Sequence, residues 1–128
     1  MRPADLGGRG GYLGNMDTDC LFCLISAGEV PADVVYTNDE IMAFTDISPK
    51  APTHILVIPR QHFANIRELA ADPRAGAAVL AGIAAVAEQL NLPYFTTIFN
   101  TGAESGQSVM HVHAHILSGS GQIWAHNS

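Results

Sequence analysis

Histidine and apolar residues alternate near the end of the chain, and this pattern constrains the fold more than any other feature of the sequence. Residues 111–117 read His-Val-His-Ala-His-Ile-Leu. Successive side chains of a β-strand point to opposite faces, so Val112, Ala114 and Ile116 would face a core and the three imidazoles would share the other face. Neighbouring imidazoles would then lie roughly 6.5–7 Å apart, which is twice the rise per residue.

Three imidazoles on one small surface indicate chemistry. Because imidazoles titrate near neutral pH, such a cluster is typical of proton transfer, nucleophilic catalysis or metal binding. The alternative is an exposed strand face on which the three histidines are only solvated. That explanation is the weaker one, because the chain has only six histidines in 128 residues.

The rest of the composition favours one globular domain. A chain of 128 residues fits a single domain and buries most of its unfolded surface without needing disulfides. The formal net charge of −6 argues against a broad nucleic-acid-binding face, which needs a basic stripe. There is no apolar run of about 18–20 residues that could span a membrane, and no apolar signal-peptide core. We therefore expect a cytoplasmic protein with neither nucleic acid nor a membrane as partner.

The first 15 residues differ from the remainder, since they contain five glycines and little apolar periodicity. We expect 1–15 to be a disordered extension and 16–128 to be the domain, with Met16 as the start of the functional polypeptide. Periodicity predicts helices at 20–27 and 74–89, a helical turn at 65–69, and strands at 34–37, 41–44, 54–58, 95–100 and 109–117. This order predicts an α+β domain, a five-stranded antiparallel sheet with one long and one short helix on one face.

The two cysteines of the chain, Cys20 and Cys23, form a Cys-x-x-Cys pair. Such a pair fits a redox dithiol, half of a metal site, or two small buried residues. A tetrahedral metal site would need two histidines to complete it, and His54 and His111 are the candidates.

Residues 100–108, which read Asn-Thr-Gly-Ala-Glu-Ser-Gly-Gln-Ser, precede the histidine run directly. Glycine allows positive φ and a close approach of the backbone to a ligand. Backbone N–H groups, the Ser108 hydroxyl and the Gln107 amide can together surround an anion. A segment of this composition is most often a plain turn, but its position beside the histidines favours a phosphate-binding loop next to a nucleophile.

The sequence resembles the histidine-triad (HIT) family. Residues 111–117 are similar to the HIT motif, and other motifs follow in family order: 20–23 (Cys-Leu-Phe-Cys), 28–31 (Gly-Glu-Val-Pro), 43–49 (Ala-Phe-Thr-Asp-Ile-Ser-Pro), 51–59 (Ala-Pro-Thr-His-Ile-Leu-Val-Ile-Pro) and 106–109 (Gly-Gln-Ser-Val). The resemblance covers residues 20–124, and Trp124 is similar to the tail of the Hint branch. It implies the HIT-like fold and hydrolysis or transfer at the α-phosphate of a purine nucleotide, releasing a nucleoside monophosphate. Phosphoramidates are the implied substrates, with dinucleoside polyphosphates as the alternative.

The resemblance also implies roles for individual residues. His113 would be the nucleophile that forms a nucleotidyl-histidine, His115 would support transfer beside the phosphate, and His111 and His54 would orient the nucleophile or bind zinc. The remaining implied contacts are Ser108 and Gln107 to the phosphate, Asn100 near the phosphate or the leaving group, Asp46 to both ribose hydroxyls, Phe44, Ile47, Phe22 and Leu21 to the base, and Trp124 to the leaving group.

A structural zinc ion and a two-fold homodimer are implied as well. The implied zinc ligands are Cys20, Cys23, His54 and His111, with His62 as the alternative to His54, and the chemistry itself would need no cofactor. In the dimer the two sheets would join into one, and the alanines of the helix at 74–89 would permit close helix approach. Arg60 stands where the family often has lysine, and we expect this exchange to change little. We interpret His126 as part of the tail.

Two functions of other classes stay open. The His-x-His strand fits a metal centre in a small oxygenase or cupin-like barrel, which would need three protein ligands and an open position. The long helix and the Gly-Gln-Ser segment argue against that hypothesis. The chain also fits a non-catalytic nucleotide-binding module on the same fold, against which the intact His113 argues.

Overall fold

The computed structural model describes residues 19–119, which form an α+β domain. Its elements are α1 (Leu21–Ser26), β1 (Val34–Thr37), β2 (Ile41–Thr45), β3 (Thr53–Pro59), α2 (Ile66–Ala70), α3 (Pro73–Gln89), β4 (Thr96–Phe99), a 3₁₀ turn (Ala103–Ser105) and β5 (Ala114–Ser118). The predicted extension at 1–15, Met16, Trp124 and His126 lie outside the described residues.

The five strands form one sheet in the order β1-β2-β3-β5-β4, and each neighbouring pair is antiparallel. The predicted five-stranded antiparallel sheet is thereby confirmed. Strand β3 is central, and it places Leu56 opposite His115 and His54 opposite Leu117 on β5. Residues opposite or diagonal to each other on one face of such a pair contact each other.

Helices cover both faces of the sheet, whereas the sequence analysis predicted helices on one face only. One face packs against α2 and α3 through Ile41, Ala43, Ile55, Val57, Leu69, Val79, Ile83 and Val86. The other packs against α1 through Phe22, Cys23, Ile25, Met42, Phe44, Leu56 and Ile58. Because β2 and β3 are buried on both faces, their sequences are nearly continuous apolar runs.

Helix α3 follows from its own sequence. The Asp72 side chain caps it by accepting from the Ala75 N–H at 3.1 Å, and Pro73 occupies its first turn, where no N–H is needed. Gly82 lets α3 approach β2, because a Cβ there would lie 2.9 Å from the Ile41 side chain. None of the helices in residues 19–119 has the length and hydropathy needed to cross a bilayer.

Strand β5 begins at Ala114 rather than at 109, so the prediction for this strand was too long at its start. Its pairing with β3 reaches only Val57, which lies opposite Ala114, although β3 itself continues to Pro59. The segment before β5 bonds instead to the loop after β3, where the Val112 N–H donates to the Phe63 carbonyl at 2.7 Å. His111 and His113 therefore precede the strand, and only His115 lies on it.

Candidate active site and candidate metal centre

An open cleft of about 1200 Å³ lies on the α1 side of the sheet. Its polar wall contains Asp46, Ser48, Lys50, His54, Asn100, Ser108, His113 and His115. Its apolar wall contains Leu21, Phe22, Ile25, Val30, Ala32, Phe44 and Leu56. Phe22 joins the two walls, because its ring lies edge-on to Phe44 at 5.4 Å and to His113 at 5.1 Å between centroids.

The protonation of His113 follows from one hydrogen bond. Its Nδ1 lies 2.8 Å from the main-chain carbonyl oxygen of His111. A carbonyl can only accept, so the hydrogen of the neutral ring is on Nδ1 and the lone pair is on Nε2. Burial lowers the pKa of His113, although the bond to the His111 carbonyl opposes that shift. At neutral pH this ring is uncharged and its Nε2 can act as a nucleophile.

The imidazoles of His54 and His115 are oriented by the main chain of Lys50. The Lys50 N–H donates to His54 Nδ1 at 2.9 Å, so the hydrogen of the neutral His54 ring is on Nε2. That Nε2 lies 2.9 Å from Nδ1 of His115, which must accept, and 3.4 Å from Asp46 Oδ2. His115 therefore carries its own hydrogen on Nε2. We call this chain from Lys50 through His54 to His115 the cleft relay.

The environment keeps the cleft relay neutral. Burial lowers the pKa of His115 to about 4, and the neighbouring imidazoles of His113 and His54 act in the same direction, because a second positive charge beside them would be unfavourable. Burial also lowers the pKa of His54, with Asp46 acting in the opposite direction. His115 thus presents an N–H donor, rather than a cation, to whatever occupies the cleft.

Asp46, His54 and His115 also form a set of potential metal ligands whose donor atoms lie within 4.8 Å of one another. Two histidines and a carboxylate are the set that the oxygenase hypothesis requires. However, His54 Nε2 carries a hydrogen because its Nδ1 accepts from Lys50, so it offers no lone pair to a metal. The geometry favours a hydrogen-bonded relay over a metal centre here.

A different set of side chains has the geometry of a metal site. Cys20, Cys23, His62 and His111, which we call the thiol cluster, place their donor atoms within 4.8 Å of one another. His111 Nδ1 lies 3.3 Å from Cys20 Sγ and 3.6 Å from Cys23 Sγ, and His62 Nδ1 lies 3.3 Å from Cys23 Sγ. The S···N edge of a tetrahedral zinc site is about 3.6 Å for Zn–S and Zn–N bonds of ordinary length. Two thiols and two imidazoles at these separations fit zinc.

The electronic state of the thiol cluster also suits a metal. His111 Nε2 donates to the Pro59 carbonyl at 2.8 Å, which leaves the Nδ1 lone pair directed at the sulfurs. Hydrogen bonding with the Cys23 side chain lowers the pKa of Cys20 against its burial, and bonds with His111 and His62 act in the same direction. The thiolate is the form that binds metals.

The prediction that His54 completes the Cys₂His₂ set is wrong. His54 lies on β3 and lines the cleft, where it bonds with Lys50 and His115. His62, which follows the end of β3, occupies the fourth position of the thiol cluster. His111 is fully buried in that cluster and does not line the cleft, so its link to His113 is its main-chain carbonyl.

The segment at 100–108 contributes to the cleft differently from what its sequence predicted. Ser108 and Asn100 line the cleft, and Asn100 Nδ2 donates to the Ser105 carbonyl at 2.8 Å. Gln107 is buried and does not line it. Its amide accepts from Gly102 N–H at 2.9 Å and donates to the Ala64 carbonyl at 2.6 Å. The predicted phosphate contact by Gln107 is therefore replaced by a role in holding the loop.

The residues predicted to contact the nucleoside all line the cleft. Phe22 and Phe44 are buried in its apolar wall, whereas Ile47 is 97% exposed at the rim. Asp46 is fixed by the Ser48 N–H, which donates to its Oδ1 at 2.7 Å.

Arg60 has a larger structural role than the sequence analysis expected. Its guanidinium donates to the Ser26 carbonyl at 2.8 Å, to the Ser26 hydroxyl at 3.2 Å and to the Thr37 hydroxyl at 3.1 Å. It therefore ties the end of α1 to β1. A lysine could not reproduce this forked contact, and nothing in the local sequence indicated it.

A family model described as the HIT domain matches residues 27–122. The chain belongs to the HIT family. An uncharacterised HIT-like protein of Synechococcus elongatus is 42% identical over 111 residues, which cover 85% of this chain and 97% of that protein. The purine nucleoside phosphoramidase of Escherichia coli K12 is 37% identical over 107 residues, covering 81% and 90%. The crystal structure of a HIT family hydrolase from Legionella pneumophila superimposes with a TM-score of 0.77 at 40% identity, covering 82% and 96%.

Proposed function

We propose that this HIT protein hydrolyses purine nucleoside phosphoramidates or related nucleotide conjugates at the α-phosphate and releases a nucleoside monophosphate. The observation that carries the proposal is the state of His113, a buried neutral imidazole whose Nδ1–H bonds to the His111 carbonyl. Its nucleophilic Nε2 belongs to a ring that lines the cleft. The likeness to the phosphoramidase of E. coli supports the substrate class.

The reaction proceeds in two displacements. His113 Nε2 attacks the α-phosphorus, the bond from phosphorus to the leaving nitrogen breaks, and a nucleotidyl-histidine forms. The leaving nitrogen takes up one proton and departs as the free amine. Water then attacks phosphorus and releases one proton as the bond to His113 breaks, so the protons of the two steps balance. The Nε2–H of His115 donates to a phosphate oxygen or to the leaving group, since its Nδ1 already accepts from His54.

The other residues of the cleft bind the nucleotide. The Ser108 hydroxyl and the neighbouring backbone contact the phosphate, with Asn100 near the leaving group. Asp46 accepts from both ribose hydroxyls, and its carboxylate is already oriented by the Ser48 N–H. The base lies in the apolar wall, flanked by Phe22, Phe44, Leu21 and Ile47. Under this proposal the domain at 16–128 is the catalytic one.

We further propose that the thiol cluster holds one structural zinc ion. Cys20, Cys23, His62 and His111 supply four ligands, which leaves no open position for a substrate. When bound, zinc would cross-link α1 to the segments that follow β3 and precede β5. The reaction itself requires no cofactor under this proposal.

A homodimer whose sheets join along β4 completes the proposal. β4 is an edge strand of the sheet, and Tyr94 and Phe95, which directly precede it, are exposed apolar side chains. Most soluble homo-oligomers are closed and symmetric. Trp124 would shape the leaving-group pocket of the partner. Light scattering should give about twice the 13.6 kDa of the chain, and a fully active monomer at micromolar concentration would contradict this.

A turnover screen tests the proposed activity. Purified protein is assayed with a purine nucleoside phosphoramidate, a dinucleoside polyphosphate and a sugar nucleotide, and His113→Ala serves as the inactive control. We expect the phosphoramidate to have the largest kcat/KM. Preference for the dinucleoside polyphosphate would indicate that the protein is a dinucleoside polyphosphate hydrolase instead. Nucleotide binding without turnover of any substrate would indicate a non-catalytic module.

A further inference from the structure

One acidic side chain on the apolar side of the cleft has no part in the mechanism above. Asp33 lines the cleft and follows Ala32, which packs against the apolar wall. Its main-chain carbonyl accepts from the Thr45 N–H at 3.0 Å, so it lies beside the end of β2, next to Phe44. Asp33 is thus a carboxylate adjoining the surface on which the base is proposed to lie.

The carboxylate of Asp33 is available to a ligand. Its side chain is exposed, and within residues 19–119 the bonds that hold this residue use its main chain rather than its carboxylate. Asp46, the other acidic residue of the cleft, accepts from the Ser48 N–H, lies next to His54 and is already assigned to the ribose. The wall around Asp33 consists mainly of aromatic and aliphatic groups, which supply contact area but no hydrogen-bond recognition.

We propose that Asp33 reads the base and makes the protein prefer guanine nucleotides over adenine nucleotides. This inference rests on the proposed function, because a base lies in the apolar wall only if a nucleotide is the substrate. An ionised carboxylate can only accept hydrogen bonds. Guanine presents two adjacent donors, N1–H and the 2-amino group, which match the two oxygens of a carboxylate. Adenine places the unprotonated N1 beside its 6-amino group, and that lone pair would face the carboxylate.

The size of the effect follows from the kind of contact. A bidentate pair between a side chain and a base edge typically discriminates against the wrong base by about tenfold to a hundredfold. Hydrogen bonds to an ionised acceptor are the stronger ones. Exposure of Asp33 to water places the expected preference at the lower end, about tenfold.

The test compares guanosine and adenosine phosphoramidates that carry the same amine. For the wild-type protein we expect kcat/KM to favour guanosine by about tenfold, and calorimetry should show GMP binding more tightly than AMP by a similar factor. In Asp33→Asn the side chain offers one donor and one acceptor, which suits adenine, so the ratio should fall to about one or invert. Asp39→Asn is the matched control, because Asp39 is exposed in the turn between β1 and β2 and does not line the cleft.

Each outcome separates this inference from the proposed function. If neither phosphoramidate is turned over, the proposed function fails. If both are turned over with equal kcat/KM, or adenosine is preferred, the reading of guanine by Asp33 is overturned while the proposed function stands. A guanosine preference that survives in Asp33→Asn would also overturn the role of Asp33. The wild-type comparison alone keeps the inference falsifiable if the variant does not fold.

Discussion

The thiol cluster and the cleft relay are both built from histidines, yet main-chain groups give those histidines opposite roles. In the thiol cluster, His111 Nε2 donates to the Pro59 carbonyl, so its Nδ1 lone pair faces the sulfurs. In the cleft relay, His54 Nδ1 accepts from the Lys50 N–H, so its Nε2 carries the hydrogen. His111 is thereby prepared as a metal ligand and His54 as a hydrogen-bond donor. The main-chain partner of each histidine therefore decides which of its nitrogens carries the hydrogen and which carries the lone pair.

The two regions meet at His111. Its ring belongs to the buried thiol cluster, while its carbonyl orients the ring of His113 at 2.8 Å. The thiol cluster is therefore expected to support folding, and the cleft to perform the reaction. Variants in the thiol cluster and in the cleft show whether metal binding and catalysis are independent of each other.

The largest effect is expected from His113→Ala. Loss of a covalent nucleophile should lower kcat/KM by several orders of magnitude. Because the thiol cluster does not use this ring, metal content by elemental analysis should match that of the wild type. Nucleotide binding, measured by calorimetry, should persist. Unchanged turnover would remove His113 from the mechanism, and loss of metal would mean that the two regions are not separate.

Separate alanine variants of His62 and His54 should distinguish metal binding from catalytic activity. His62→Ala should lose the bound metal, because it removes a ligand of the thiol cluster. His54→Ala should keep about one metal per chain but lower kcat by about 10–100-fold, since His115 loses the donor that orients it. The opposite pattern, with metal lost only in His54→Ala, would restore the ligand set predicted from sequence.

Cys20→Ser should affect stability more than catalysis. Under the proposed zinc site, losing a thiolate ligand weakens metal binding, and metal binding contributes folding energy. We expect a loss of at least about 2 kcal/mol, which lowers Tm by roughly 8 °C for a domain of this size. Differential scanning calorimetry with and without chelator measures the loss. If the metal-free wild-type protein has an undiminished Tm, the cysteines contribute to stability only through packing.

A smaller effect is expected from pH, and it belongs to the cleft. Burial lowers the pKa of His113, and it lowers that of His115 to about 4, while unfolded histidine titrates near 6.5. The unfolded state therefore takes up protons first as pH falls, so stability is lost progressively from about 6.5 towards about 4 and is unaffected by these groups above 6.5. Activity should persist below pH 6.5 and disappear as His113 protonates. Activity lost in step with an ordinary histidine, near pH 6.5, would contradict the buried neutral state.

The sequence predicted the fold well where local periodicity decides it. The sheet, α3 and the alternation of Val112, Ala114 and Ile116 follow from patterns of a few residues. The position of α1 on the second face was not predicted, although a signal existed in β2 and β3, whose apolar residues occupy both faces. Covering a second apolar face requires another element.

The site was predicted in composition but not in every contact. His54 and His62 are eight residues apart, and only the path of the chain at the end of β3 decides which of them reaches Cys23. Gln107 looked like a phosphate ligand because burial of its side chain and its bonds to Gly102 and Ala64 cannot be inferred from sequence. The hydrogen bond from His111 to the Pro59 carbonyl joins groups 52 residues apart in sequence, so it carries no local sequence signal.

The stereochemical course at phosphorus tests the central claim, transfer through a nucleotidyl-histidine, most directly. A nucleoside phosphoramidate made chiral at the α-phosphorus with sulfur is hydrolysed in oxygen-labelled water, and the configuration of the product is determined. Two in-line displacements, the first by His113 and the second by water, predict overall retention. Inversion would mean that water attacks the substrate directly and would contradict a covalent role for His113.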